Sequence, residues 1–282
     1  MIKFKLFIHK LIHWEYWPYQ VVYLPVYFQY LYYALRTRSF FYFNASNPTI
    51  KNGGFFMESK KEIYDLIPQE YYPKTILVTP NEKFEAIVQK INETKIEFPF
   101  IAKPDIGLRG TAVKKIHDIE ELKRYLEKAK FDILIQDLIP YENEIGLFYV
   151  KLPNQEGKIT GIVSKEFMIL EGNGKNTIRE LLHKDKRYLF QLETLELEYK
   201  EKLNEVLKLG ETINLVPYGN HCRGTKFVDA SNEINPEMIA SFNTICNQID
   251  GFYFGRMDIM YNSFSDLAQG KNLQIVEING AI

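Results

Sequence analysis

Gly255-Arg256-Met257-Asp258-Ile259-Met260, followed after a polar turn by Leu273-Gln274-Ile275-Val276-Glu277-Ile278-Asn279, is the stretch on which the reading of this chain turns. Both runs are short and apolar, so they read as the last two strands of a sheet, within about 252–261 and 272–278. Side chains two apart in a strand share a face, so Glu277 and Asn279 point the same way. Asp258 on the neighbouring strand can join them. Three oxygen-bearing side chains around one point suit a hard cation, Mg2+ or Mn2+, bound with a nucleotide's phosphates. The competing reading is the solvated face of a sheet. It is the weaker one, because a charge set among Ile, Val and Met is costly to bury without a partner.

Upstream, Phe98-Pro99-Phe100-Ile101-Ala102-Lys103-Pro104-Asp105 leads into Ile106-Gly107-Leu108-Arg109-Gly110-Thr111. A lysine at a strand end, followed by a glycine-bearing loop, can clamp phosphate: the ammonium supplies charge and the glycines let backbone N–H groups approach oxygen. The spacing does not match a Walker-type loop. Next, Ile133-Leu134-Ile135-Gln136-Asp137-Leu138-Ile139-Pro140 reads as a strand leaving the core, with Glu142 and Glu144 beyond it. Backbone there can pair with an adenine edge and a carboxylate can accept ribose hydroxyls; solvated acids at a strand end are the alternative. Arg223, in Asn220-His221-Cys222-Arg223-Gly224, can bind a carboxylate or phosphate through its planar fork. Lys165, on an expected strand, is read either as part of the nucleotide region or as a surface charge.

Composition narrows the classes. The chain has 282 residues, 35 Lys+Arg and 36 Asp+Glu, a near-neutral balance that argues against a nucleic-acid binder. Its 2 cysteines cannot build a disulfide framework or a four-cysteine zinc site, and a reduced cytoplasmic setting is expected. No HExxH pair supports zinc hydrolysis.

The first 57 residues differ from the rest. They hold 6 basic residues against Glu15 alone, a net +5 that leaves −6 for the remaining 225 residues. Fourteen aromatic residues lie within residues 14–43, and no charge occurs from Trp17 to Leu35. Pro18, Pro25, Gln20, Gln29 and the abundance of Tyr speak against a membrane-spanning helix. No small-residue cleavage site suggests a secretory signal. Two expectations stand side by side: helices packed on the body, or a peripheral contact of residues 14–43 with a partner protein or the inner face of the membrane.

Taken in order, the strand motifs resemble the ATP-grasp superfamily. The segment Gly-Arg-Met-Asp-Ile-Met then Glu-Ile-Asn is similar to the end of D-alanine–D-alanine ligases. Gly172-Asn173-Gly174-Lys175-Asn176-Thr177-Ile178 resembles the Gly-Asp-Gly-Lys-x-Thr-Ile segment of cyanophycin-synthetase-type carboxylate–amine ligases, with Asn173 in place of Asp. The similarity covers about residues 58–282. It implies an α+β (mixed α/β) fold in which two subdomains, about 98–165 and 166–282, sandwich ATP, preceded by the aromatic arm at 1–57 instead of a full Rossmann-like domain.

Residue by residue, the resemblance implies that Lys103 contacts phosphates and that Lys60, with Lys61 competing, is the earlier nucleotide lysine. It implies that Gly107 to Thr111, with Arg109 and Gly110, cover the phosphates. Gln136, Asp137 and Leu138 form the adenine hinge and Glu144 holds the ribose. Asp258, Glu277 and Asn279 hold one or two Mg2+ or Mn2+ ions, and Arg256 stabilises a tetrahedral oxyanion, with Arg223 beside it on its chemistry alone. The expected activity is ATP-dependent joining of a small-molecule carboxylate to an amine through an acyl phosphate. A non-catalytic ATP-binding module at a membrane surface or in a complex, and an ATP-grasp phosphotransferase, are the alternatives. Substrates and oligomeric state are not legible.

Overall fold

The structure, a computed structural model, describes residues 8, 11–107, 112–184, 186–189, 191–216 and 225–281. It is a mixed α+β chain with antiparallel sheets, and it divides into two compact units: Met1–Tyr42 with Leu170–Ile213, and Phe43–Ile169 with Asn214–Ile282.

The larger unit holds two sheets. The first has the order β1-β4-β2-β3, built from β1 (Thr75–Val78), β2 (Phe100–Pro104), β3 (Lys114–Ile116) and β4 (Ile133–Asp137), every neighbour antiparallel. Phe100, Ala102, Ile116, Ile133 and Ile135 are buried on one face, under Ile87 and Ile91 of a helix at Phe84–Thr94 and Leu122 of a helix at Ile119–Lys128. Asp118 starts the latter helix by accepting the Glu121 N–H at 2.8 Å, the role its side chain suits. The opposite face carries Lys103, level with Leu134, and Gln136, level with Ile101.

The second sheet has the order β11-β10-β5-β6-β9. Its strands are β5 (Asn143–Val150), β6 (Lys158–Glu166), β9 (Lys226–Asp229), β10 (Phe254–Tyr261) and β11 (Leu273–Asn279), again all antiparallel. Ile145, Leu147, Tyr149, Met257, Ile259 and Ile275 form its apolar face. They pack with Met238, Phe242, Ile245 and Cys246 of a helix at Pro236–Cys246, whose first turn is capped by Asn235. Alternation sends Glu144, Gly146, Arg256 and Asp258 to the other face.

The segment ahead of residue 58 is tied into this unit from Phe43 onward. Asn47 is fully buried; its amide donates to the carbonyls of Gly53 (2.9 Å) and Phe254 (2.8 Å), and its oxygen accepts from the N–H groups of Tyr253 (2.9 Å) and Phe254 (3.1 Å). Gly53 and Gly54 have φ of 61° and 76°, and a Cβ on Gly54 would lie 2.7 Å from the Gly280 backbone. Glycine is what that close approach and backbone region require.

The other unit contains the aromatic arm up to Tyr42. After a short helical turn at Tyr19–Val22, a helix of 14 residues runs from Leu24 to Thr37, with Pro25 in its first turn, where its missing N–H costs nothing. It ends at Arg38, in left-handed conformation. No helix among the described residues is long and apolar enough to cross a membrane. The Gly172–Thr177 segment leads into a helix at Ile178–Leu182 that begins with a capping box between Thr177 and Glu180. The side chain of Asn173 accepts from the N–H groups of Lys175 and Asn176 at 3.0 and 2.8 Å.

Candidate active site

The polar face of the five-stranded sheet gathers Glu144, Lys165, Arg256, Asp258, Glu277 and Asn279 from among the residues singled out from sequence. Asp258 lies directly opposite Glu277, and Arg256 opposite Asn279. This placement depends on an irregularity. Asp258 pairs with Glu277 but Ile259 pairs with Ile275, so Val276 is one residue too many in β11. Simple alternation from Leu273 and Ile275 would send Glu277 into the apolar face. The bulge at Val276 resets the phase, so Ile278 stays buried while Glu277 and Asn279 join Asp258.

The bulge is held from outside the sheet. Tyr64, at the end of a helix at Lys60–Tyr64 whose N-cap is Ser59, donates its hydroxyl to the carbonyl of Val276. The same hydroxyl accepts from the Lys103 ammonium at 3.0 Å, and that ammonium stands 5.3 Å from the centre of the tyrosine ring. Lys103 is buried. Tyr64 therefore joins the phosphate-clamp candidate on the first sheet to the strand of the second sheet that bears Glu277 and Asn279.

Lys60 makes a second junction. Its ammonium donates to the carbonyls of Asp105 (3.3 Å) and Gly107 (3.1 Å) and lies 3.4 Å from Glu277 Oε1. Lys61 instead pairs with Asp65 on the same helix, so Lys60 is the lysine that reaches the cluster. The buried Asp105 carboxylate fixes this helix start by accepting the Lys61 N–H at 2.8 Å.

The interior of the cluster is a set of ion pairs. Lys165 Nζ lies 2.5 Å from Glu144 Oε1 and 3.0 Å from Asp258 Oδ2; Lys165 and Asp258 are buried and Glu144 is partly buried. Arg256 donates from Nε to Asp258 Oδ1 (2.8 Å) and from a terminal nitrogen to Oδ2 (3.2 Å), a forked contact two residues along one strand. Gly146 makes room for it: a Cβ there would stand 2.9 Å from Arg256 Cδ and 3.4 Å from Asp258 Oδ1. Burial pushes the Glu144 carboxyl above its ordinary range, against the pull of Lys165, and the carboxylates of Asp258 and Glu277 add to the push. Burial works to lower the Lys165 ammonium, but Asp258 and Glu144 outweigh it and hold it above its usual value. Lys165 is thus a buried cation and not a surface charge. The signal for it in sequence was its place on the strand opposite Glu144, which becomes informative only once the pairing is known.

Other candidates sit apart from this cluster. Gln136 is buried and donates to Thr75 Oγ at 2.8 Å; Asp137 lies 3.6 Å from Lys74; Leu138 is exposed. Arg109, Gly110, Thr111 and Arg223 lie outside the described residues.

Whether these residues suit a hard dication turns on their donors. No group of three or more His, Cys, Asp or Glu that could hold a metal occurs among the described residues. The set Asp258, Glu277 and Asn279 has two carboxylates and one amide. The amide of Asn279 is unsettled: its nitrogen is buried without a hydrogen-bond partner among the described residues. A half-turn of that amide replaces an unsatisfied donor by an oxygen on the face that carries Asp258 and Glu277. The donor set is then all hard oxygen, the kind that Mg2+ or Mn2+ takes, with both Asp258 oxygens engaged by Lys165 and Arg256.

No protein-family model and no curated protein sequence matches the chain. Solved structures do. The D-Ala:D-Ser ligase VanG from Enterococcus faecalis is similar at 13% identity and a TM-score of 0.49, over 82% of this chain and 55% of its own. A bifunctional glutathione synthetase from Pasteurella multocida is similar at 14% identity and a TM-score of 0.43, over 78% of this chain and 32% of its own. The D-alanine–D-alanine ligase from Bacillus anthracis is similar at 14% identity and a TM-score of 0.42, over 79% of this chain and 55% of its own. The chain spans about half, or less, of the length of these structures. The likeness is one of fold only, and what the site does is argued from its own residues.

Proposed function

We propose that the chain is an ATP-dependent carboxylate–amine ligase of the ATP-grasp kind, working in the cytoplasm on small-molecule substrates. One observation carries the reading. The bulge at Val276 turns Glu277 and Asn279 onto the face of Asp258 and Arg256, and two lysines from elsewhere, Lys60 and Lys103, converge on that same strand. An arrangement of hard oxygen donors beside cations suits a metal–triphosphate.

In this reading Asp258, Glu277 and Asn279 hold Mg2+ or Mn2+, which neutralises charge on the phosphates when bound. Lys103 and Lys60 bind phosphate oxygens, and Lys60 exchanges its carbonyl contacts for them. The substrate carboxylate oxygen attacks the γ-phosphorus, the bond to the bridging oxygen breaks, and ADP leaves. The amine nitrogen of the second substrate then attacks the acyl carbon. Phosphate departs with the electrons of the C–O bond, and the amine proton passes to solvent. Arg256, already oriented by Asp258, stabilises the oxyanion of that second step. Lys165 and Glu144 keep Asp258 in place.

The test is ADP and phosphate release with Mg2+ against paired panels of carboxylic acids and amines. Turnover that needs both an acid and an amine supports ligation. A stable phosphorylated acid produced without an amine would assign a phosphotransferase instead, and ATP binding without turnover on any pair would assign a non-catalytic module.

A further inference from the structure

The aromatic arm supplies none of the site residues named above, and its surface is unusual. Along the helix at Leu24–Thr37 only Ala34 is buried. Leu24, Phe28, Leu31 and Leu35, spaced so that they form one stripe, are 53%, 67%, 48% and 78% exposed. Tyr27 and Tyr32 flank that stripe and are also exposed. Arg36 lies beyond the Tyr32 flank, 3.4 Å from its hydroxyl. The helix is followed by Arg38, and no acidic residue occurs from Tyr16 through Met57. Just before it, Trp14 and Trp17 are 68% and 44% exposed.

A contiguous exposed apolar stripe of this kind marks an interaction surface. This helix is too short to span: its 14 residues reach about 21 Å, against a hydrocarbon core of about 30 Å. Rings with a polar tip favour the boundary between headgroups and acyl chains, where both ends are satisfied. Cations on the flank, with acids missing, match anionic headgroups in charge. We propose that residues 14–38 dock on an anionic phospholipid bilayer, with the Leu24–Thr37 helix lying in the plane of the interface, its Leu24/Phe28/Leu31/Leu35 stripe toward the acyl chains and Arg36 and Arg38 among the phosphates. This inference is independent of the ligase reading.

The chain supplies its own probe, because its 2 tryptophans are Trp14 and Trp17, both in the arm. The full chain is mixed with vesicles of equal parts phosphatidylcholine and phosphatidylglycerol, or of phosphatidylcholine alone. Tryptophan emission and co-sedimentation are both read. The expected result is a blue shift and co-sedimentation with the anionic vesicles that added salt weakens. Arg36→Gln with Arg38→Gln should weaken binding about twenty-five-fold, roughly fivefold per cation. Phe28→Asp with Leu31→Asp should abolish it, while circular dichroism and urea unfolding stay those of the parent. Three outcomes overturn the proposal: no blue shift and no co-sedimentation; equal, salt-insensitive binding to both vesicle types; or a dimer by analytical ultracentrifugation that Leu31→Asp dissociates, with no vesicle binding, which would place a second copy on the stripe.

Discussion

Replacing Lys165 by Met in metal-free buffer tests whether the buried ion pairs hold the site together. The ammonium sits 2.5 Å from Glu144 and 3.0 Å from Asp258, and the three side chains are 5%, 12% and 8% exposed. Removing one partner of a buried pair leaves an uncompensated charge, and this typically costs about 3–5 kcal/mol. Arg256 still neutralises Asp258, so most of the penalty falls on Glu144. At roughly 2–4 °C per kcal/mol for a chain of this size, the midpoint of thermal unfolding should drop by about 6–20 °C at neutral pH. The groups facing Glu144 are Lys165, Asp258 and Glu277. A carboxyl whose folded pKa is raised binds protons more readily when folded, so stability falls as pH rises from its unfolded value through its folded one. Loss of Lys165 raises the folded pKa of Glu144 further. Acidifying the variant from pH 7 toward pH 5 should therefore recover part of the lost stability, and adding Glu144→Gln should recover it at neutral pH. The parent's own Lys165 contribution should persist up to the ordinary lysine range and fade above it, a fade the variant lacks. The assay is urea unfolding across pH for both single variants and the double. A loss below about 1 kcal/mol for Lys165→Met, or a double variant no more stable than the single, would refute the reasoning.

Other consequences follow from the same contacts. Tyr64→Phe removes the hydroxyl that bonds both Lys103 and the bulge carbonyl of Val276; urea unfolding should show a loss of roughly 1–3 kcal/mol, and amide exchange at Val276 and Glu277 should speed up more than at Ile259. Asn47→Ala leaves four backbone partners, one in a buried and three in part-buried contacts, without their mate, so unfolding should come roughly 2–4 kcal/mol sooner, while Asn44→Ala should cost far less. Glu277→Gln breaks only the contact with Lys60, where both side chains are partly open to water; stability should change by less than about 1 kcal/mol, although ADP release, if the proposed reaction is right, should be lost.

Much of this fold can be read from the sequence because local chemistry and tertiary packing agree. Asp118 and Asn235, side chains of the type that starts helices, cap the two helices that follow them, and the strands on either side of the turn-forming Pro153–Gly157 run pair as an antiparallel hairpin. Where they disagree, the sequence misleads. The spacing of Ile63, Leu66 and Ile67 ahead of Pro68 predicts a helix over Met57–Ile67, but the helix is confined to Lys60–Tyr64, its start set by Ser59 capturing the Glu62 N–H. The polar connection before β11 contains a short helix at Phe264–Ala268, begun by the Ser263 side chain. Three short strands, β7 (Met168–Glu171), β8 (Thr212–Val216) and β9, gave no periodic signal long enough to find. Within the site, Asp258, Glu277 and Asn279 were legible as polar breaks in apolar runs. Lys165, Gly146 and Tyr64 were not: Lys165 matters through Asp258, 93 residues away, Tyr64 through Val276, 212 residues away, and Gly146 through the room it leaves for Arg256. The Val276 bulge was equally hidden: counting by twos from Glu277 to Asn279 is correct, but which face they share depends on the residue inserted ahead of them.

The proposed reaction requires that Asp258, Glu277 and Asn279 grip a divalent ion together with ATP. Electron paramagnetic resonance of Mn2+, titrated with the full chain in the presence and absence of ATP, reads that directly. The prediction is a bound-ion signal that requires ATP, weakened at least tenfold in Glu277→Gln and in Asn279→Ala with each variant still folded. Mn2+ and ATP bound just as tightly by both variants would contradict it.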